Sequence, residues 1–422
     1  LDISRGQLQL FLDQYDEIPW KVLNFLTSYI NYGGRVTDYI DLRSIDVIMV
    51  SFYNTKILSP DYKFDAEGMF YSIEPDEEDA HASYMAYIDG LPMVAPPSVF
   101  GMHDNASIAS ANAEAFTMFD TCLSLQASDS GGGGPSREEL LEGVVADIES
   151  RIGAVGLFDI EGIGMRYPVV YEQSMNTVLI QECIRYNKLL DALLTDLPML
   201  SKALKGLVVM STELESISNS IALNQVADAW ASKAYPSMKP LAAWVDDLLL
   251  RETGIPSVFW ISGFYFPQAF LTGSLQNFAR KHKYPIDTVS FDFLLVKGSY
   301  EGIKKSPEDG VYIRGLFLEG ARWCNAEHSV TDSLPKQLYT ELPVIHLSPL
   351  KDREDKTDGI YRCPVYKVLS RRGTLSTTGH STNFIFWIEL PSNRTNIINN
   401  VGLSDQEEWI RAGVAAFSSL TY

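Results

Sequence analysis

The chain has 422 residues, 46% of them hydrophobic and 21% charged, which is an ordinary globular composition. Its 34 Lys and Arg face 54 Asp and Glu, a formal net charge of −20, so nucleic acid and anionic membranes, which need a local basic surplus, are poor partners. Single cores stop growing near roughly 250–300 residues, so two or more domains are expected. The chain opens inside a helical pattern, with Leu8, Leu10, Phe11 and Leu12 ahead of Pro19-Trp20. Val22, Leu23, Phe25, Leu26 and Ile30 then repeat at helical spacing. After Asn31-Tyr32-Gly33-Gly34, a second amphipathic run carries Leu42, Ile45, Val47, Ile48, Val50 and Phe52. So short a pair of helices makes no stable core alone, and it reads as part of a longer polypeptide. No basic and apolar leader precedes it, and no secretory signal is expected.

Residues 59–136 are expected to be an acidic, loop-rich connection. They hold the run Glu74-Pro75-Asp76-Glu77-Glu78-Asp79, a solvated surface, and close on Gly131–Gly134, a flexible linker. Residues 1–136 hold 6 basic and 20 acidic side chains, so most of the negative excess lies in this third of the chain. From 137 to 286 helix signals dominate. Ser136 with Glu138 and Glu139 reads as a helix start, and Tyr171–Leu197 as a long helix ended by Pro198. Leu214–Trp230, Leu241–Arg251 and Gln268–His282 read as three more.

The period then changes. Val289, Phe291, Phe293 and Leu295 alternate with Ser290, Asp292 and Leu294, which predicts a half-buried strand. Val311–Leu318, Val344–Leu347, Tyr361–Leu369 and Asn383–Leu390 continue the series. With no helices between them, residues 287–422 predict a small, antiparallel, partly closed β-barrel. Phe291, Phe293, Phe317, Phe384 and Phe386 would fill its interior. Ser404 and Glu407 have the capping-box form, so Ser404–Phe417 predicts a closing helix. The fold class is α+β.

Motifs that would carry chemistry fail one by one. No Gly-Lys-Ser/Thr is present, and Pro135 after the glycine run offers no amide to a phosphate. Gly162 and Gly164 lack the third glycine of a dinucleotide loop and read as a turn, while Val245-Asp246-Asp247 lies in a helical pattern and reads as a surface pair. Cys324 and His328 are two ligands where a structural zinc site needs four. His380 and Ser381 are neighbours that a strand would point to opposite faces. The four cysteines are widely spaced, which favours a reducing compartment over a disulfide framework. The uncharged stretch Gly254–Ala279 carries Pro256, Pro267 and several polar residues, and suits a buried layer better than a membrane span, so a soluble chain is expected. No catalytic residue, no metal ligand set and no cofactor is expected. The aromatic clusters Phe259-Trp260, Phe264-Tyr265-Phe266 and Trp323 read as core or as anchors of a partner contact.

Six strings together resemble the C-terminal end of dynein heavy chains: NYGGRVTD at Asn31–Asp38, PPSVFGMHDNA at Pro96–Ala106, QECIRYNKLL at Gln181–Leu190, FWISGFYFPQAFLTGSLQNFAR at Phe259–Arg280, DGVYIRGLFLEGARW at Asp309–Trp323 and CPVYKVLSRRGTLSTTGHSTNFI at Cys363–Ile385. They cover nearly the whole chain in the family's order. The RRGTLSTTGHSTNF stretch looks more like the axonemal than the cytoplasmic branch. The resemblance implies that residues 1–58 are part of the helical lid of the sixth AAA+ module of a motor ring. It implies that the C-terminal domain, helices and then a partly closed barrel, lies across one face of that ring. The parent would be an ATP-hydrolysing, minus-end-directed microtubule motor, placed in the axoneme of a cilium or flagellum, or alternatively in the cytoplasm. This segment would be non-catalytic, bracing the ring and regulating motility, with the rest of the heavy chain as its partner. Microtubules and accessory chains would be reached only through the parent. Arg35, after Gly33 and Gly34, falls where working AAA+ lids use an arginine to sense phosphate. In a module that resembles a degenerate one it reads as structural, with Asp38 as a helix cap or ion-pair partner. Gln126–Ser136 departs from the family pattern and reads as a lineage-specific insertion. The alternative is a binding module whose barrel docks an accessory chain or a ligand.

Overall fold

The computed structural model describes residues 2–36, 38–76, 78–125, 137–249, 255–354, 356, 359–368, 383–393 and 405–420. The glycine-rich stretch 126–136, the 369–382 stretch with His380 and Ser381, and the cap residue Ser404 lie outside the described residues. The first helical pattern becomes α1 (Asp2–Gln14) and α2 (Trp20–Phe25), which runs into a π-helical segment, Leu26–Tyr32. The Asn31 amide ties that segment to α1 by donating to Ser4 Oγ at 3.0 Å and Gln7 Oε1 at 2.9 Å. α3 (Tyr39–Phe52) follows, burying Ile40 and Val47.

The stretch read as loops contains two helices, α4 (Ala80–Asp89) and α5 (Asp104–Leu125). α4 buries none of its residues, so no strong apolar face marked it in the sequence. Its start is instead set by Asp79, whose carboxylate accepts from the Ala82 amide at 3.0 Å.

The helical region builds the second of the molecule's cores. α6 (Arg137–Val155) and α7 (Ile160–Arg166) lead into α8 (Ser174–Leu204), followed by α9 (Thr212–Ala222), α10 (Asp228–Ala231) and α11 (Leu241–Leu249). Leu189, Leu193, Leu197 and Leu200 of α8 pack against Val145 and Ile152 of α6, with Trp230 and Trp244 sealing the cluster. That packing explains one departure from expectation. Pro198 does not end α8; the helix runs on to Leu204 because Leu200 and Ala203 are buried beyond it, offsetting the missing backbone hydrogen bond. The Leu214–Trp230 helix is in fact two, α9 and α10, broken where Asn224 takes a left-handed φ of 53°.

Eleven strands are present among the described residues. A four-stranded sheet has the order β1 (Val258–Trp260), β3 (Val311–Arg314), β8 (Ile345–Lys351), β2 (Val289–Leu295). A five-stranded sheet has the order β10 (Phe384–Pro391), β9 (Ile360–Val368), β11 (Ala415–Ser419), β4 (Phe317–Glu319), β7 (Tyr339–Glu341). β5 (Ala321–Cys324) and β6 (Ser329–Asp332) form a separate hairpin. α12 (Pro267–His282) packs on both sheets, and Phe259, Phe270, Ile313, Leu318, Val365, Ile388 and Trp409 meet in the core between them.

In the sheet region the structure corrects three further expectations. First, the sheets are not closed into a barrel. The predicted strand Val311–Leu318 is split into β3 and β4, which belong to different sheets. The corner is Gly315, at φ 87°, where an added Cβ would lie 2.5 Å from Trp260 Cδ1. Only glycine meets both demands. Second, the strands are not all antiparallel: β1 pairs parallel with β3, and β11 parallel with β9. Third, the closing helix α13 (Asp405–Arg411) is short, and the chain returns as β11. Every residue of β11 is buried, so alternation gave no strand signal there. The described part of the uncharged stretch, residues 255–279, holds β1 and most of α12, and no helix among the described residues is long and apolar enough to cross a membrane.

Candidate functional site

The residues singled out in the sequence form the turn between the π-helical segment and α3. Gly33 is required there by packing: an added Cβ would come within 2.1 Å of the Ser28 carbonyl oxygen and 2.6 Å of Leu42 Cδ2. Gly34 meets no such crowding. Arg35 ends the short 3₁₀ turn Gly33–Arg35, faces solvent, and makes no ion pair among the described residues. Asp38 is buried immediately before α3, and its carbonyl accepts from the Asp41 and Leu42 amides. Its carboxylate makes no capping hydrogen bond. The turn therefore brings Gly33, Arg35 and Asp38 onto one short segment, with the glycine and the aspartate facing inward and the arginine outward.

The other motifs fall apart in space or resolve into structure. Gly162 opens α7, where its amide donates to Asp159, an N-cap. Asp246 pairs with Arg151, and Asp247 with Lys239 at 2.7 Å, so both belong to ion pairs around α11. Cys324 ends β5 and His328 takes a φ of 51° in the turn before β6. No group of three metal-ligating side chains occurs among the described residues.

Three polar arrangements were not foreseen, and the first of them joins two of the recognisable strings. Glu182 of α8 is buried and accepts from the backbone amides of Tyr265 at 2.7 Å and Phe266 at 3.3 Å, at the N-terminus of α12. Arg185, one turn along, pairs with it at 2.5 Å. Burial pushes this carboxyl above its ordinary range, opposed by those amides and by Arg185. A carboxylate at a helix N-terminus, satisfied by amides, is a structural anchor.

The second arrangement bridges the two sheet edges that a closed barrel would have joined. Arg353, almost fully buried, pairs with Asp292 of β2 at 3.4 Å and with Glu389 of β10. Lys356 pairs with Asp292 at 2.6 Å. Burial raises the Asp292 pKa, but the Lys356 hydrogen bond and the charges of Lys356 and Arg353 outweigh it and hold the carboxyl below its usual range. Phe293 reaches Trp387 across this seam, ring centroids 5.6 Å apart. Side chains thus staple an edge that backbone hydrogen bonds leave open. A cavity of about 390 Å³ opens beside the staple, walled by Phe293, Leu295, Trp323, Ile360 and Pro391 and edged by Lys297, Lys356 and Glu389.

The third arrangement fastens α3 to the five-stranded sheet. The Tyr366 hydroxyl of β9 donates to Asp41 Oδ1. Arg43 Nη2 donates to the Arg362 carbonyl at 2.5 Å, and its guanidinium stands 5.6 Å from the Tyr361 ring centre. Farther on, the His103 amide donates to the Ala412 carbonyl at 3.2 Å. Asn105 is buried, donates to the carbonyls of Leu334 and Gln337, and accepts from the Lys336 amide. Nothing in a single sequence pairs residues some 320 positions apart, so these contacts were invisible there.

Comparison with known proteins identifies the family. Residues 1–106 match the family described as the dynein heavy chain AAA lid domain, and residues 112–418 match the family described as the C-terminal domain of the dynein heavy chain. The chain is 49% identical over 430 residues to dynein axonemal heavy chain 1 of Rattus norvegicus, covering 100% of this chain and 9% of that protein. It is 46% identical to dynein axonemal heavy chain 3 of Homo sapiens, covering 100% of this chain and 10% of that protein. It is 41% identical to dynein axonemal heavy chain 12 of Mus musculus, covering 100% of this chain and 13% of that protein. The chain therefore spans only 9–13% of the length of these curated relatives.

Proposed function

The chain belongs to the dynein heavy chain family, with its likeness to axonemal members, and from that premise we propose that it serves as a non-catalytic brace and regulator within a microtubule motor. The matched regions are the AAA lid and the C-terminal domain, so the rest of the heavy chain is its partner, and its place is the axoneme of a cilium or flagellum. Residues 1–58 act as part of the lid, 59–136 as the connection, 137–286 as the helical part and 287–422 as the sheet part of the C-terminal region. The observation that carries the reading is the fastening of α3 to β9, because it joins the part matched to a lid directly to the C-terminal sheet. A body that makes different contacts in different ring states shifts the balance between those states without binding nucleotide itself. Arg35 takes a structural place in this scheme, and microtubules and accessory chains are engaged through the parent motor, which hydrolyses ATP elsewhere. The test is thermal: if this chain held a nucleotide site, ATP with Mg²⁺ at 100 times its dissociation constant would add about 2.7 kcal/mol. The expected result is an unchanged melting curve; a clear upward shift contradicts the reading.

A second reading, docking of a ligand or accessory chain on the C-terminal sheets, is favoured by the cavity at the seam. Its walls are mostly apolar and its edge carries Lys297, Lys356 and Glu389, which suits a small amphiphile with a polar head. Truncation of the cavity wall at Trp323 distinguishes the two, since it leaves the α3–β9 contacts untouched.

A further inference from the structure

We infer that Asp41 and Arg43 of α3 form a two-point clamp on β9 that makes the lid and the five-stranded sheet move as one mechanical unit. This rests on the bracing reading and gives it a mechanism. One contact would act as a pivot. Here the grips fall at Tyr361–Arg362 and at Tyr366, four or more residues apart along β9 and so separated by about 13 Å at roughly 3.3 Å per residue. Two grips at that spacing resist rocking as well as sliding. The residues gripped are themselves held. The Tyr361 hydroxyl is buried and donates to the Val414 carbonyl at 2.6 Å. Tyr366 stacks on Phe417 of β11, centroids 6.0 Å apart and planes 29° from parallel. A displacement of α3 thus passes to β9 and on to β11, which lies at the centre of its sheet between β9 and β4. Asn105 and the His103 amide add a third attachment, on the loop before β7 and at the end of α13. The chemistry suits a rigid joint, since a guanidinium spread over an aromatic ring and a carbonyl, and a phenol donating to a carboxylate, are directional bonds that lose strength when either partner turns.

The consequence is specific. When the ring changes state, the sheet follows its own lid, and relative motion occurs elsewhere. The experiment uses the full heavy chain, with spin labels at exposed Tyr39 on α3 and exposed Glu341 on β7, attached by a chemistry that spares cysteine. The inter-label distance is measured with ATP analogue, with ADP and without nucleotide. The clamp predicts one narrow distance in all three states. In the double variant Arg43→Met, Tyr366→Phe, which keeps the apolar stem and the ring, the distribution broadens by about twofold or more. A wild-type distance that changes with nucleotide overturns the clamp, and so does a double variant as narrow as wild type. The wild-type arm needs no variant to fold. Sliding velocity of the same preparations tests bracing separately: a fixed distance with motility indifferent to this region keeps the clamp and removes its use.

Discussion

The helical region and the sheet region solve the same burial problem in opposite ways. In the helical region, α6, α8 and α11 meet through residues spaced at three and four along each helix, and Leu189, Leu193, Leu197 and Leu200 lie on one stripe of α8. In the sheet region partners are distant: Val258 pairs with Tyr312, Val289 with Lys351, and Ala416 with both Leu318 and Val365. A helix declares its buried face within two turns of sequence. A strand declares a face but never its neighbour, so the corners and the closing strand decide the architecture.

Two matched truncations probe that difference most strongly. Leu193→Ala and Phe417→Ala each empty a fully buried site, at a cost of about 2–5 kcal/mol for the leucine and about 3–5 for the phenylalanine. Hydrogen exchange should show α6 and α8 losing protection in the first variant, and β4, β9 and β11 in the second. If either variant exposes both regions equally, they form one cooperative unit and the contrast fails. Next in size is Gly315→Val, which places a side chain at a left-handed φ and against Trp260. A loss of about 2–4 kcal/mol in chemical denaturation is expected from strain plus overpacking; tolerance would mean that the corner between the sheets is not set there.

Part of this was legible in advance. The strand Val289–Leu295 was readable to the residue because one face is half-exposed and alternation survives. Ala415–Phe417 of β11 fell inside the expected closing helix, with no alternation to mark a strand because all five β11 residues are buried, and β1 was hidden in an apolar, aromatic stretch. Pro198 misled because local rules cannot see the buried Leu200 and Ala203 beyond it. Of the candidate site, the turn with Gly33, Arg35 and Asp38 was visible as a motif. The bonds of Asp41 and Arg43 were not, since each needs a partner from the far end of the chain.

Smaller effects separate the two junctions. Glu182→Ala weakens the anchor of α12 by about 1–3 kcal/mol, because the Tyr265 and Phe266 amides lose their buried acceptor. A melt that matches wild type would show that the helical and sheet regions meet without it. The two carboxyls also answer pH with opposite signs. Asp292 is held low in the folded state, so its stabilisation is present above its unfolded value of about 3.9 and is lost as pH falls through the folded one. Glu182 is raised, so the fold favours its protonated form, and stability is lost as pH rises from about 4.3 through the folded value. Denaturation midpoints across the acid range should therefore flatten at low pH in Asp292→Asn and at higher pH in Glu182→Gln. Identical profiles for both variants would contradict the assigned environments.

The central claim is that this region acts on a motor by mechanical contact. The measurement that tests it most directly compares sliding velocity and ATP turnover of the full heavy chain with and without residues 59–422. Bracing predicts altered velocity or force with hydrolysis retained. Unchanged motility, or hydrolysis abolished by removal of this region, would contradict it.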